Sequence, residues 1–171
     1  MRIVELDADA VEAHLDDLAQ LLLDAHESNM ALGLAPGLTP ARAHDAYRHT
    51  AERLAPGERI LLGALEGSVL VGAVHLARAQ AENGRQRAEI QRLVVRSDSR
   101  GRGVGRMLME AAIGEARRLE LRLLWLMTHE GSTADRVYQR LGWTRLGVVP
   151  AYSTLPDGSL TANVYYYLEL T

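Results

Sequence analysis

The hydrophobic and polar positions of the chain change their period several times along its 171 residues. A short β-prone segment comes first, at residues 2–6, and apolar residues then recur at helical spacing over residues 11–25. Asp9 followed by Glu12 has the pattern of a capping box, which predicts the start of this first helix. A second helix is predicted over residues 39–54, because threonine followed by proline is typical of an N-cap and a first helical residue.

Strand-like patterns follow. Residues 59–80 place leucine and β-branched residues on both sides of a turn at Glu66-Gly67, which predicts two strands, and residues 87–95 predict a third. After a glycine-rich loop, residues 104–119 have the spacing of an amphipathic helix. Five residues of this helix are predicted to face inward: Val104, Met107, Leu108, Ala111 and Leu119.

The remaining third of the chain predicts a buried strand at residues 121–127 and a helix that is capped by Ser132 and ends at Gly142. Two strands, at 143–149 and 163–170, are separated by a turn-rich segment. The order β-α-α-β-β-β-α-β-α-β-β is that of a mixed α/β (α+β) sheet with antiparallel strands early in the chain. It is not the regular alternation of a parallel α/β fold.

Composition limits the chemistry that is available. The length predicts one domain over residues 1–171, since a domain usually holds about 100–200 residues. There is no cysteine, which excludes disulfides, a thiol nucleophile and cysteine-based zinc sites. All 19 basic residues are arginine, so a lysine Schiff base and a P-loop lysine are excluded as well. The histidines lack metal-ligand spacing, and no metal is expected.

Charge is distributed unevenly along the chain. The net charge of −3 gives no general reason to expect nucleic-acid binding. Residues 1–54 contain ten acidic residues and four arginines, whereas residues 87–118 contain eight arginines and four acidic residues. This predicts a local positive field around the glycine loop. No segment has the roughly 18 apolar residues of a membrane span, and the N-terminus does not resemble a signal peptide, so a cytoplasmic protein is expected.

The loop Arg-Gly-Arg-Gly-Val-Gly-Arg at residues 100–106 carries the clearest chemical signal. The start of a helix offers unpaired N–H groups and the positive end of the helix dipole, glycines let the backbone approach a phosphate, and arginines add charge. A dinucleotide-binding loop is disfavoured, because Arg106 stands where that motif has a small residue and half of the chain precedes it. A solvated surface turn is the alternative that the loop alone leaves open.

Together with its neighbours, the loop resembles the GNAT family of acyl-CoA-dependent N-acetyltransferases. The loop signature (Arg/Gln)-x-x-Gly-x-(Gly/Ala) is met by Arg100, Gly103 and Gly105, and Tyr138 precedes a Gly-Trp pair as in the second motif of the family. The resemblance covers about residues 89–149, and the predicted element order agrees over the whole chain. It implies a GNAT-like fold, with a central, mostly antiparallel, splayed sheet that is flanked by helices.

The resemblance also implies acetyl-CoA as co-substrate. The loop would hold the pyrophosphate, and the strand that ends at Val95 would pair with the pantetheine arm in a gap between two strands and polarise the thioester carbonyl. The expected cofactor-binding residues are Leu93, Val94, Val95, Arg100, Gly101, Arg102, Gly103, Val104, Gly105 and Arg106.

Two residues are candidates for the chemical steps of direct amine attack, which needs no covalent intermediate. The resemblance places Tyr138 near the thioester sulfur, where its phenol would protonate the leaving thiolate; a core tyrosine is the alternative. Glu89 is the predicted base, because in a strand Glu89, Gln91 and Leu93 share one face; a solvent-facing glutamate is the alternative. His129 is a second candidate base, since its ordinary pKa suits neutral pH.

The tail resembles the tabtoxin-resistance-type branch of the family, with a Pro-x-Tyr sequence that ends at Tyr152, a Pro-Asp-Gly turn at 156–158 and a hydrophobic last strand. This implies a small-molecule primary amine as acceptor, of a toxin-like or antibiotic-like kind. Met127 departs from the polar residue of that branch and leaves the amine open. Asn29 and Tyr152 are expected to border the acceptor pocket, and a homodimer through the terminal strands is compatible with the family. An acyl-CoA sensor without turnover and a protein N-terminal acetyltransferase are the alternative functions.

Overall fold

A sheet of seven strands organises the computed structural model, which describes residues 1–30 and 32–170. In chain order the strands are β1 (Arg2–Glu5), β2 (Arg59–Glu66), β3 (Val69–Arg78), β4 (Arg87–Val95), β5 (Leu123–His129), β6 (Thr144–Thr154) and β7 (Leu160–Glu169). Across the sheet their order is β1-β2-β3-β4-β5-β7-β6, and β4 and β5 form the parallel pair among antiparallel neighbours. The predicted mixed, mostly antiparallel sheet is confirmed.

The helices of the described residues are α1 (Ala8–Ala13), α2 (Leu15–Glu27), α3 (Pro40–Ala51), α4 (Val104–Arg118) and α5 (Thr133–Arg140). The prediction of one helix over 11–25 is wrong, since the backbone breaks at His14, and so is its predicted N-cap. The side chain that accepts from the N–H of Ala10, at 2.8 Å, belongs to Asp7, because Asp7 has the extended backbone of an N-cap and Asp9 lies inside the first turn.

The other predicted helix starts agree with the structure, and one predicted helix end differs by three residues. Thr39 accepts from the N–H of Arg42 and Pro40 is the first residue of α3, which ends three residues before the predicted Leu54. Ser132 caps α5, and the chain leaves this helix through Gly142, whose φ of +81° favours glycine. The segment predicted to be turn-rich begins in a strand instead, because β6 continues to Thr154.

Two hydrophobic cores cover the two faces of the sheet. The α4-side core includes Ile60, Leu62, Val74, Leu76, Leu108, Met109, Leu124, Tyr138 and Tyr166. The α2-side core includes Leu18, Leu22, Tyr47, Leu61, Leu70, Ala73 and Val94. Five α4 residues were predicted to face inward, and the prediction is wrong for Met107. Met107 is 36% exposed, whereas Met109 is fully buried. The buried stripe of α4 runs through 104, 108, 112 and 116, and Met107 lies beside it.

β4 and β5 diverge soon after they meet. Three residue pairs join them, from Arg87–Glu89 on β4 to Leu123–Trp125 on β5, and the rest of β4 runs away from β5. Among residues 1–30 and 32–170, no strand neighbours the peptide groups on that side of β4. The predicted splay of the sheet is therefore present, and it separates the second half of β4 from the end of β5.

A β-bulge changes which side chains β4 presents. Arg92 and Leu93 stand opposite the single residue Val74, and the backbone of Arg92 has a φ of +48°. The prediction that Leu93 shares a face with Glu89 is therefore wrong: Leu93 packs against the α4-side core, and Val94 belongs to the α2-side core. Bulges re-aim side chains in this way, and here the bulge lies beside the gap between β4 and β5.

Candidate active site

The divergence of β4 from β5 opens a cleft of about 1190 Å³. Side chains of both cores reach its walls, so the cleft passes from one face of the sheet to the other. Its loop end is formed by residues 100, 101 and 103–106, and its middle contains Glu89 and Tyr138. The opposite part, called the arginine end here, is formed by Arg53, Arg59, His75 and Arg92.

The loop end owes its shape to two glycines with positive φ. Gly101 has a φ of +75°, and Gly103, the N-cap of α4, has a φ of +84°, a region that side chains disfavour. Gly105 differs, because a Cβ added there would meet Val95 Cγ2 at an ordinary 3.7 Å. The first i→i−4 hydrogen bond of α4 is donated by the N–H of Met107, so the preceding N–H groups are donors for an anion.

The arginines of the loop have partners within the chain. The guanidinium of Arg100 turns inward and donates to the carbonyl of Val95 at 3.1 Å and to Ser28 Oγ at 2.9 Å. Arg102 pairs with Glu66 at 2.5 Å, and Arg106 pairs with its helix neighbour Glu110 at 2.7 Å. Arg100 and Arg106 line the cleft. The geometry thus gives the backbone, rather than the guanidinium groups, the direct position for an anion, and the predicted phosphate contacts of these arginines stay predictions.

Asp24 anchors the loop end and was missed from sequence. Its carboxylate accepts from Ser97 N at 2.8 Å, from Ser97 Oγ at 2.9 Å and from Gln20 Nε2 at 2.7 Å. Burial raises the pKa of Asp24, but these hydrogen bonds outweigh it and hold the pKa below its usual value. The sequence signal for Asp24 was an acidic residue among the buried positions of α2. Its partner Ser97 is 73 residues away and could not be identified from the sequence.

Glu89 is the last residue of β4 that pairs with β5, and it is half-buried in the wall of the cleft. Gln91 Nε2 donates to its carboxylate at 2.6 Å. Burial raises the pKa of Glu89, against the smaller lowering effects of Gln91 and Arg59. The strand register puts Glu89 on the same face as Leu61, that is, on the α2 side of the sheet. A partly buried carboxylate with a raised pKa is a typical proton acceptor.

Tyr138 fits both of its interpretations. It is 6% exposed and packs against Trp143 and Tyr166, with ring centroids 6.1 and 6.0 Å away, so it belongs to the α4-side core. It also lines the cleft. Burial raises the pKa of its phenol, which keeps the group protonated at neutral pH. Glu89 and Tyr138 therefore reach one cleft from opposite faces of the sheet.

Of the other candidates, His129 and Asn29 line the cleft, whereas Tyr152 does not. His129, at the end of β5, lines the cleft. Asn29 also lines it and exchanges two hydrogen bonds with Asp157, at 2.9 and 3.2 Å, which join the connector after α2 to the turn between β6 and β7. Ala31 of this connector lies outside the described residues. Tyr152 packs edge-on against Tyr165 at 5.8 Å and is not among the residues that line the cleft.

The described residues contain neither a metal-binding cluster nor a membrane-spanning helix. No group of three or more His, Cys, Asp or Glu side chains in residues 1–30 and 32–170 is arranged to hold a metal ion. Within the same residues, no helix combines the length and the apolar character that crossing a membrane requires.

The strand order, the splay and the loop define a fold and site of the acetyltransferase class, and comparison with known proteins identifies the family. The chain belongs to the acetyltransferase (GNAT) family, which matches residues 15–143. The family and fold class predicted from sequence are confirmed.

Individual relatives add detail. Mycothiol acetyltransferase of Propionibacterium freudenreichii subsp. shermanii is 33% identical over 142 residues, which cover 80% of this chain and 44% of that protein. The chain thus spans less than half the length of this relative. Ribosomal-protein-alanine N-acetyltransferase of Brucella melitensis has the same fold, with a TM-score of 0.79 at 22% identity over 99% of this chain and 100% of that one. The Salmonella typhimurium protein yncA, solved with its cofactor acetyl-CoA, gives 0.78 at 19% identity over 100% and 94%.

Proposed function

We propose that this chain transfers the acetyl group of acetyl-CoA to a primary amine of a small molecule, by direct attack in a ternary complex. The observation that carries the proposal is the single cleft in which the N-terminus of α4, Glu89 and Tyr138 meet. The first provides an anion site, the second a proton acceptor and the third a proton donor. Family membership supports the same reaction.

Acetyl-CoA fits the loop end. The free N–H groups at the start of α4 would hold the pyrophosphate, and the absence of a side chain at Gly105 leaves the backbone open to it. The part of β4 that has no described strand beside it would hold the pantetheine arm, with the peptide groups of Leu93 and Val95 as hydrogen-bond partners. The carbonyl of Val95 already accepts from Arg100, which orients it at this edge. When bound, acetyl-CoA supplies the activated acetyl group.

The two faces of the sheet supply the two proton-transfer groups. The amine approaches from the α2 side, where Glu89, directly or through water, takes a proton from its nitrogen as the N–C bond forms. The C–S bond then breaks, and Tyr138 on the α4 side gives its proton to the departing thiolate. His129 is the second candidate for the base, as it lines the same cleft.

A contact between two loops at the edge of the cleft favours a small acceptor over a protein N-terminus. The hydrogen bonds between Asn29 and Asp157 hold two loops together beside the cleft, although 128 residues separate them. Because these hydrogen bonds join the two loops, they restrict the approach of a polypeptide more than that of a small molecule. The resemblance of the tail to the tabtoxin-resistance-type branch supports a small acceptor as well. One relative is named mycothiol acetyltransferase, which also indicates a small-molecule acceptor.

A panel of amines with acetyl-CoA, read out by thiol release, tests the proposal. Turnover with at least one small amine is expected. Tight CoA binding in calorimetry, with no turnover on any small amine or on peptides with free N-termini, would instead establish the acyl-CoA sensor. Turnover confined to the peptides would establish the N-terminal acetyltransferase.

A homodimer through the terminal strands is part of the proposal. β6 lies at the edge of the sheet, and its Leu146 is 71% exposed. Leu160, the first residue of the neighbouring strand β7, is 66% exposed. Exposed edges and apolar patches favour association with a second copy. Light scattering on a size-exclusion column is expected to give a dimer mass, and Leu146→Glu to give a monomer. A wild-type monomer at all concentrations would contradict this.

A further inference from the structure

Three guanidinium groups converge at the arginine end of the cleft. Arg53 follows α3, Arg59 opens β2, and Arg92 is turned to this side by the bulge, where its Nε donates to the carbonyl of Leu32 at 3.0 Å. All three line the cleft. Burial lowers the pKa of Arg59, and the nearby charges of Arg53 and Arg92 lower it further, against the raising effect of Glu89. These cations are therefore close enough to repel one another.

No described carboxylate lies within 4.0 Å of any of these three guanidinium groups, in contrast to Arg102 and Arg106 of the loop. Arg59 donates to the amide oxygen of Gln91 at 3.3 Å, and the nitrogen of the same amide donates to Glu89. One neutral amide thus separates the cations from the candidate base. A cluster of cations in a cleft, without carboxylates of its own, is a site for an anion from outside the chain.

His75 adds an independent observation. It is 2% exposed, lines the arginine end, and stacks on Tyr47 with ring centroids 6.3 Å apart. Its Nε2 is buried without a hydrogen-bond partner among the described residues. Burial, with the charges of Arg92 and Arg59, lowers the pKa of His75 to about 3, so the imidazole is neutral at pH 7. A buried polar nitrogen without a partner, on a side chain that lines a cleft, points to a ligand atom.

The arginine end and the proposed coenzyme site lie at different positions along β4. Arg59 is opposite Ala77, and Ala77 is opposite Glu89, so Arg59 lies in the same row of the sheet as the candidate base. Glu89 and Val95 are opposite Ala77 and Gly72 of β3, which are five residues apart along that strand, or about 17 Å. The arginine end is thus next to the acceptor amine and far from the loop that receives the pyrophosphate.

We infer that the arginine end binds a carboxylate of the acceptor, so that the acceptor is an amino acid or a close analogue with a free amine. This inference rests on the proposed acetyl transfer. The carboxylate accepts from the guanidinium groups of Arg53, Arg59 and Arg92 and from His75, and this holds the amine of the same molecule beside Glu89. The Gln91 amide sets the spacing between the two sites.

The test compares the standard amino acids with their decarboxylated amines, each assayed with acetyl-CoA. We expect kcat/KM to be at least about tenfold higher for the best amino acid than for its amine, as for a charge-assisted contact. In Arg59→Gln and Arg53→Gln, KM for the amino acid rises about tenfold while KM for acetyl-CoA stays within about twofold. Arg48→Gln, an exposed arginine on α3 outside the cleft, is the matched control and is expected to leave both constants unchanged.

Direct binding separates failure of this inference from failure of the proposed function. Amino acids and amines are titrated into the protein–CoA complex by calorimetry, with the wild type and Arg59→Gln. If no compound is acetylated but amino acids bind and Arg59→Gln weakens them, the transfer fails and the carboxylate site stands. If the amines bind or react as well as the amino acids, or if Arg59→Gln affects both equally, the carboxylate site is overturned.

Discussion

The loop end and the arginine end of the cleft present positive charge in different ways. At the loop end the donors are backbone N–H groups of α4, and Arg102 and Arg106 are held by carboxylates of the chain itself. At the arginine end the donors are side chains, and no carboxylate of the described residues pairs with them. Backbone donors suit a constant group such as the pyrophosphate, whereas side chains change easily by substitution. We infer from this difference that the first end fixes the donor substrate and the second selects the acceptor.

The largest expected effect comes from breaking the backbone geometry of the loop end. In Gly103→Val, a β-branched residue would have to adopt a φ of +84°, so the first turn of α4 is displaced and its N–H groups no longer converge. We expect CoA affinity, measured by calorimetry, to fall by at least about 100-fold. Gly114→Ala, in the middle of the same helix where a Cβ meets nothing within 4 Å, is the control with unchanged affinity. Near wild-type affinity of Gly103→Val would remove the loop from the site.

Removing the Tyr138 hydroxyl is expected to have the next largest effect. Tyr138→Phe keeps the ring contacts with Trp143 and Tyr166 and removes the proton donor. We expect kcat to fall by about 100-fold, the usual size of general acid catalysis, with KM for acetyl-CoA nearly unchanged. The melting temperature should stay close to that of the wild type, since the ring remains. A variant with full activity would show that Tyr138 serves the core alone.

Glu89, which lies between the two ends of the cleft, is expected to make the reaction rate depend on pH. Its raised pKa means that the base is lost by protonation at a higher pH than for an ordinary glutamate, so kcat/KM falls as pH falls through this raised value. We expect Glu89→Gln to lower kcat by about 100-fold and to remove this acid limb, while the limb that reflects the amine substrate remains. An unchanged acid limb in Glu89→Gln would transfer the role to another group, with His129→Gln as the next variant.

The fold was predictable from sequence because its signals are local. The N-caps at Thr39 and Ser132, the turn at Glu66-Gly67 and the positive-φ glycines each act within a few residues, and the structure has all of them. The break at His14 was missed, since helical periodicity continues across it and only the packing of two short helices shows the interruption.

The site was predictable only in part, and the bulge explains much of the rest. One extra residue at Arg92 reverses the faces of Leu93 and Val94, and no strand pattern in the sequence shows where such a residue falls. Asp24 and the arginine end were missed for a related reason. Their partners come from separate elements, such as Ser97 for Asp24 and Gln91 for Arg59, and single-sequence reasoning does not bring these together.

The smallest expected effect separates two neighbouring arginines of the loop. Arg106 lines the cleft, but its pair with Glu110 is an exposed i,i+4 contact that a phosphate replaces easily; Arg102 pairs with Glu66 and does not line the cleft. We expect Arg106→Gln to weaken CoA binding by about threefold and Arg102→Gln by less than about twofold. Raising the salt concentration should shrink the first effect, because it screens an exposed charge. A larger loss in Arg102→Gln than in Arg106→Gln would mean that side chains, and not the backbone of α4, dominate the loop end.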